Sequence, residues 1–417
     1  MERLTQDLTI DILSWLPIRS LLCCKCVCKT WHTIISDPVF STLQLHRSSS
    51  SDLFFHFNFS IEYGDFYISE SGSRYEAHSQ ESDFYLALGN EDRFEEDDDE
   101  DDSLILRPSK TVHVPFFIDS WKDFNVLGSC NGLLVLSTIW NTESVTMFAT
   151  EPIYIFNPIT GEHLQLPSIR ISPELGIVVK FLSGFGFDVS TQDFKLVILL
   201  FYVPHGSDVL ELESTMNEMH VYPFRSNTWS KETGNVPNVL LDTCQVFSYV
   251  FINGSLYWSA IDVDSRLHIL SLHLGSEDFG EIPTPDLPLL AENTSKQFAW
   301  DQSDQFALGV LEECLSLVDY SHENFIDIWQ MMNNNGNEHW VKLLSIDREV
   351  MLYSLQSRSV MCLEYGKKGE ILLMGSSNFV VYNAESSTCT KVWVAVEGDG
   401  NCRAIPFVGS LISIRLA

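Results

Sequence analysis

The sequence predicts a small all-α segment followed by a mainly-β domain, a kelch-like β-propeller of about six blades. Three observations carry this expectation. Apolar spacing changes from helical to short Val/Ile/Phe/Tyr/Leu runs after residue 46, a weak internal repeat recurs along the β part, and a glycine-punctuated apolar strand precedes each copy. An irregular β-sandwich is the alternative architecture. The boundaries follow the change in pattern: residues 1–46 form the helical domain and 47–417 the β domain.

In the helical part, Leu8, Ile12, Leu13 and Leu16 fall at helical spacing until Pro17 stops the run. Ser20 is placed to cap a second helix over Leu21 to Ile35, apolar around most of its circumference, with Lys25 and Lys29 on one edge. Asp37 and Pro38 read as the cap and first position of a brief third helix carrying Phe40 and Leu43. About 40 residues seldom bury enough surface to stand alone. Leu8 and Ile12 lie on one helix face while Ile10 and Trp15 lie on others, so something else must cover the surplus.

In the β part, Ile153–Leu164 reads as strand, turn, strand, and Met219–Trp229 aligns with it without a gap. Taking Phe156, Tyr222, Leu272, Trp329 and Tyr382 as equivalent, the copies recur at intervals of 50 to 66 residues. That period fits blades of about four strands. A sixth blade would use Leu53 to Phe59 and Thr111 to Phe117, closed by strands near Leu411 to Ile414, which would remove the open sheet edge. Eight consecutive acids, Glu95 to Asp102, sit within a segment of about 89–103 expected to be a solvated, disordered loop.

The composition excludes several classes. The 417 residues are 45% hydrophobic and 12% aromatic, enough for a sizeable core, so wholesale disorder is excluded. Twenty-five basic residues against 57 acidic ones leave a formal charge of -32, which repels nucleic acid and anionic membranes and favours a basic protein as partner. No apolar run reaches the roughly 20 residues of a bilayer span, and Glu2, Asp7 and Asp11 occupy the positions where a secretory signal needs basic and apolar residues. A soluble protein of the cytoplasm, the nucleus or both is expected, with its ten cysteines reduced and mostly buried.

No catalytic, cofactor or metal site is expected. Cys23 and Cys26 leave a helix on a different side from Cys24 and Cys28, and no second ligand pair follows. Asp399-Gly-Asn-Cys402 resembles the nucleophile motif of ovarian-tumour-type deubiquitinases, but no histidine lies downstream, so it reads as a turn into a strand. Gly184-Phe-Gly186 lacks the third glycine and helix of a dinucleotide site. Trp229, Trp258, Trp329, Trp340 and Trp393 recur at blade-equivalent places and read as core packing.

Taken together, Leu4-Thr-Gln-Asp-Leu8, Ile12-Leu-Ser-Trp-Leu16-Pro17-Ile-Arg-Ser20-Leu-Leu, Lys25-Cys-Val-Cys-Lys-Thr-Trp31 and Ile34-Ile-Ser-Asp-Pro38-Val-Phe40 resemble a plant F-box almost throughout. Thr5 departs from it, standing where that family usually has proline. Asn157-Pro158-Ile159-Thr160 and Asn253-Gly254-Ser255-Leu256-Tyr257-Trp258 resemble the F-box-associated (FBA) domain. The stretch Ile328–Met332 with Trp340 is similar to S-locus F-box proteins of pollen self-incompatibility and their paralogues.

The resemblance implies a non-catalytic substrate receptor of an Skp–cullin–F-box ubiquitin ligase, with a non-degradative scaffold bound to the Skp adaptor as the alternative. Its partners would be the Skp adaptor, cullin through it, and a protein substrate, S-RNase-like in the narrowest extension. The adaptor contact carries over to Leu4, Leu8, Ile12, Leu13, Leu16, Pro17, Ile18, Leu21 and Leu22, with Val27 and Trp31 equally suited to internal packing. The opposing possibility is that these residues fold back onto the β domain as a cap.

Overall fold

The computed structural model describes residues 5–47, 52–58, 82–87, 94–96, 104–106, 110–112, 114, 125–137, 152–206, 215–242, 249–262, 264, 266–287, 305–322, 324–334, 337–355, 361–363, 370–375, 379–394 and 401–414. Four helices open the chain, where three are expected: α1 (Gln6–Ser14), α2 (Ile18–Cys24), α3 (Lys29–Ile35) and α4 (Pro38–Arg47). The long second helix is split because Lys25 to Val27 form a turn and Cys28 becomes the extended cap of α3, accepting from the Trp31 backbone N–H. Pro17, not Ser20, stands at the start of α2. Asp37 does cap α4, its Oδ1 accepting from the Val39 N–H at 2.8 Å.

Six sheets follow, which bears out a helical segment ahead of a propeller. Five are antiparallel meanders in chain order. Blade 1 comprises Asn125–Cys130, Leu133–Ser137, Ile153–Phe156 and His163–Gln165; blade 2 Ile177–Asp188, Asp193–Val203, Met216–Pro223 and Ser230–Thr233. Blade 3 comprises Val250–Ile252, Ser255–Ile261, Leu267–His273 and Asp278–Ile282; blade 4 Phe306–Leu311, Cys314–Asp319, Phe325–Asn334 and Asn337–Asp347. Blade 5 comprises Met361–Leu363, Glu370–Met374, Phe379–Asn383 and Thr388–Val394. The five residues taken as equivalent, Phe156, Tyr222, Leu272, Trp329 and Tyr382, all lie on third strands. Tight turns at Asn131-Gly132 and Asn253-Gly254 join first strands to second in blades 1 and 3. Both residues of each have positive φ, which Asn tolerates and Gly adopts freely.

The sixth sheet is composite. Asn401–Phe407 is its inner strand, pairing with Asp52–Asn58, which pairs with Ser82–Ala87 and then Lys110–Val112. Closure is therefore made by Asn401–Phe407 and not by residues 411–414, because the chain leaves the sheet after Phe407 and buries Leu411 and Ile414 as packing instead. The inner strands of successive blades lie against one another from blade 1 to blade 5, and that of blade 6 against blade 1. Across the remaining seam the Ala404 N–H points at Met374 Sδ, 3.2 Å away. The six sheets thus follow one another round a ring, each inner strand remaining the inner edge of its own sheet.

The acidic segment differs from its expected loop form. Phe94–Glu96 is a strand pairing antiparallel with Leu104–Leu106, which in turn adds in parallel to the outer strand of blade 5. The pairing is made by backbone groups, which every residue carries whatever its charge. Residues 89–93 and 97–103 lie outside those described.

A candidate partner-docking face

The helices are not a free-standing bundle. Leu13, Ile18, Leu21, Ile34, Ile35 and Phe40 share one buried cluster with Val112, Val114, Val126, Leu134, Leu136, Phe156, Ile159, Phe407 and Leu411 of blades 1 and 6 and their flanks. Ser41 Oγ donates to the Leu411 carbonyl at 3.2 Å. Asn157 clasps the C-terminal segment there: its amide donates to the Ser410 and Ile412 carbonyls at 3.2 and 2.8 Å, and its carbonyl oxygen accepts from the Ile159 and Thr160 N–H groups. This accounts for the polar residue that opens the Asn157-Pro158 turn.

One apolar stripe stays uncovered. Thr5 takes an extended conformation before α1, its Oγ1 accepting from the Leu8 N–H at 3.4 Å, so threonine starts this helix without the usual proline. Leu8, Ile12 and Trp15 then project from the same side at i, i+4 and i+7, and are 51%, 51% and 65% exposed. Thr9 and Leu13 turn inward. Arg47, at the end of α4, holds the rim: its Nη1 donates to Asp11 Oδ1 at 2.7 Å and Ser14 Oγ at 2.6 Å, with the guanidinium 4.9 Å from the Trp15 ring centre. Val27, in the turn after α2, and Val39, on α4, are exposed elsewhere on the helices.

The residues assigned to adaptor contact thus separate into three groups. Leu8, Ile12, Pro17 and Val27 are exposed, while Leu16, Leu22 and Trp31 are half-buried against the shared cluster. Leu13, Ile18 and Leu21 are buried within that cluster: a helix presents one face outward, and theirs is the face covered by the β domain. Leu4 lies outside the described residues. Trp15, expected on a different face from Leu8 and Ile12, shares theirs because i, i+4 and i+7 fall on one side of a helix; neither it nor Val39 was in the assigned set.

The cysteines also differ from expectation. Cys23, Cys26 and Cys28 are exposed, and of the seven described thiols, all free, Cys130 alone is buried. Cys23 lies on the outward side of α2, and the break at residues 25–28 turns Cys26 and Cys28 outward. There Lys25, Cys26, Cys28, Lys29, His32 and Thr33 line a shallow depression. Burial lowers the Lys25 pKa from its ordinary value, and the Glu162 carboxylate opposes that shift. No helix among the described residues is long and apolar enough to cross a membrane.

Comparison with known proteins matches both parts of this architecture. The F-box domain model covers residues 1–42, and that of the F-box associated beta propeller domain covers residues 104–414. F-box protein At3g07870 of Arabidopsis thaliana is 25% identical, over 91% of this chain and 85% of its own length. F-box/kelch-repeat protein At3g23880 of the same plant is 25% identical, over 83% and 80%. F-box protein CPR1, also from Arabidopsis, is 22% identical, over 93% and 83%. With a helical F-box packed on a closed ring of sheets and a domain model spanning most of its length, the chain belongs to the plant F-box proteins that carry an F-box associated β-propeller domain.

Proposed function

We propose that this chain is the substrate-recognition subunit of an Skp–cullin–F-box ubiquitin ligase. The α1 stripe docks on the Skp adaptor, and the propeller holds a protein substrate for ubiquitination and proteasomal degradation. The subunit itself is non-catalytic and works in the cytoplasm, the nucleus or both. The observation that carries this reading is the stripe of Leu8, Ile12 and Trp15, left bare although the opposite side of the same helices is covered by the propeller. Burying a large apolar side chain contributes about 1.5–3 kcal/mol, so three in a row form a strong anchor for an apolar partner groove. Trp15 is an apt centre for it, being broad, rigid and fixed beside Arg47.

The test is co-purification with the Skp adaptor, comparing wild type with a Leu8→Asp, Ile12→Asp double variant. Both side chains already face solvent, so the variant keeps its fold and melting temperature while the adaptor complex is lost. Undiminished adaptor binding would reject the docking face. Adaptor binding without ubiquitination of the protein held by the propeller would replace the ligase role by that of a scaffold.

A further inference from the structure

Blade 4 carries a group of charged side chains that neither the docking face nor the ring closure uses. Asp319 ends its second strand, Asp327 lies opposite in register on the third, and His322 sits in the turn between them. One ligand atom from each can be chosen so that all three lie within 4.8 Å of one another. Asp319 is 0% exposed. Its Oδ1 accepts from the Ser321 N–H at 2.9 Å and the Ser321 hydroxyl at 2.6 Å. Its Oδ2, equally buried, accepts no hydrogen bond among the described residues, and His322 Nε2 stands 3.9 Å away. Asp327 is also buried and is held by Lys342 Nζ at 2.6 Å and by the Ser345 hydroxyl.

The charges do not balance. Of the two buried carboxylates only Asp327 is paired with an ammonium, that of Lys342; the nearby Arg348 guanidinium donates to the His322 carbonyl instead, and the unfilled acceptor belongs to Asp319. A buried anion with an unmet lone pair costs several kcal/mol unless a cation meets it. We infer that Asp319, His322 and Asp327 bind a divalent transition-metal ion of the zinc class. One imidazole with two carboxylates is a donor set zinc accepts, and it leaves a fourth position open. At bond lengths of about 2.0–2.1 Å, tetrahedral ligands stand about 3.4 Å apart, so the Asp319–His322 pair at 3.9 Å closes by roughly half an ångström, and a separation at the 4.8 Å limit of the group by about 1.4 Å. His322 is partly exposed on a turn and free to make that move.

The position gives the ion a task. Asp319 pairs with Phe306, where the inner strand of blade 4 begins. The helices pack beside Phe407, where the inner strand of blade 6 ends. Inner strands of a propeller run in one direction, so the ion would tie down a turn on the rim opposite the docking face.

Zinc chloride is titrated calorimetrically into the chelator-treated, reduced full-length chain and into the Asp319→Asn and His322→Ala variants, with melting temperatures measured alongside. Thiols elsewhere are common to all three proteins and cancel in the comparison. Wild type should take up about one equivalent more than Asp319→Asn and gain thermal stability that this variant does not. His322→Ala should bind the additional ion more than about tenfold more weakly. Identical stoichiometry and identical thermal gain in all three would overturn the site. Should Asp319→Asn fail to fold, His322→Ala decides alone, because it removes only the 3.9 Å pairing with Asp319 from a partly exposed turn and its own melting temperature reports whether the fold is kept.

Discussion

Leu8 and Leu13 are both apolar and about 1.4 helical turns apart, yet they have opposite fates. Replacing Leu13 by alanine empties a fully enclosed site shared with the propeller and should lower stability by about 2–5 kcal/mol in denaturant unfolding. Replacing half-exposed Leu8 should leave unfolding almost unchanged and weaken adaptor binding instead. Periodicity in the sequence located the apolar faces but could not say which one the β domain would cover, since Phe407 and Leu411 join the contact from the far end of the chain. Cys26 and Cys28 were misjudged for a similar reason: the turn at Lys25 to Val27, followed by the extended cap at Cys28, interrupts the apolar run and turns both outward. Ionisable residues carry a second contrast. Burial lowers the His220 pKa, although Glu218, 3.1 Å away, pulls the other way. Stability from this group is present above the unfolded value of about 6.5 and is lost as pH falls below it. His268 is opposite in sign. Desolvation there is outweighed by hydrogen bonds to Asp262 at 3.0 Å and Glu281 at 2.6 Å, and the pKa rises. Its contribution is complete below about pH 6.5 and is lost as pH climbs through the raised value. Relative to wild type, His220→Asn should therefore lose less melting temperature on acidification from pH 7.5 to 5.5, and His268→Asn should lose more. Shifts of equal sign in the two variants would contradict both environments.

At the level of strands and blades the sequence was far more informative. Third strands were legible because each repeats an apolar core position before a polar turn, and first-to-second hairpins because Asn-Gly announces its own geometry. Two tryptophans show how the repeat is used. Trp229 Nε1 donates to the Pro167 carbonyl at 2.7 Å, and Trp340 Nε1 to the Pro283 carbonyl at 2.6 Å. Each ties the outer part of a blade to the segment leading out of the blade before it. Trp258 is fully buried between blades, whereas Trp393 is half exposed beneath Lys391, so the five aromatics do not share one role. Closure was harder to read, because the strand that completes blade 6 pairs with partners more than 300 residues earlier and carries no repeat signature of its own. Contact between blades also depends on bare backbone. A Cβ on Gly184 would stand 2.6 Å from Leu256 Cδ1 and 3.0 Å from Trp258 Cζ2, forcing blades 2 and 3 apart. Gly184→Ala should destabilise by about 1–3 kcal/mol as an overpacked site. A Leu256→Ala change in the same chain should recover part of that loss, whereas strictly additive destabilisation would show that the two do not meet.

For the molecule as a whole the governing quantity is the formal charge of -32. Eight of those charges lie in the run from Glu95 to Asp102, so neutralising that run still leaves -24 on the remainder. A field spread so widely acts over the Debye length, about 10 Å at 0.1 M salt, and raises the encounter rate of a basic partner without needing any particular carboxylate at the final contact. Two measurable consequences separate this from a local acidic clamp. The association rate constant of a basic protein held by the propeller should fall by about tenfold or more between roughly 0.05 and 0.5 M salt, with dissociation little changed. A chain with Glu95 to Asp102 replaced by Gln and Asn should keep most of that salt slope. If association proves independent of salt, the partner is not selected by charge, and the acidity serves solubility alone. If the slope disappears with the eight acids, recognition belongs to the extra hairpin on blade 5 and not to the field of the ring.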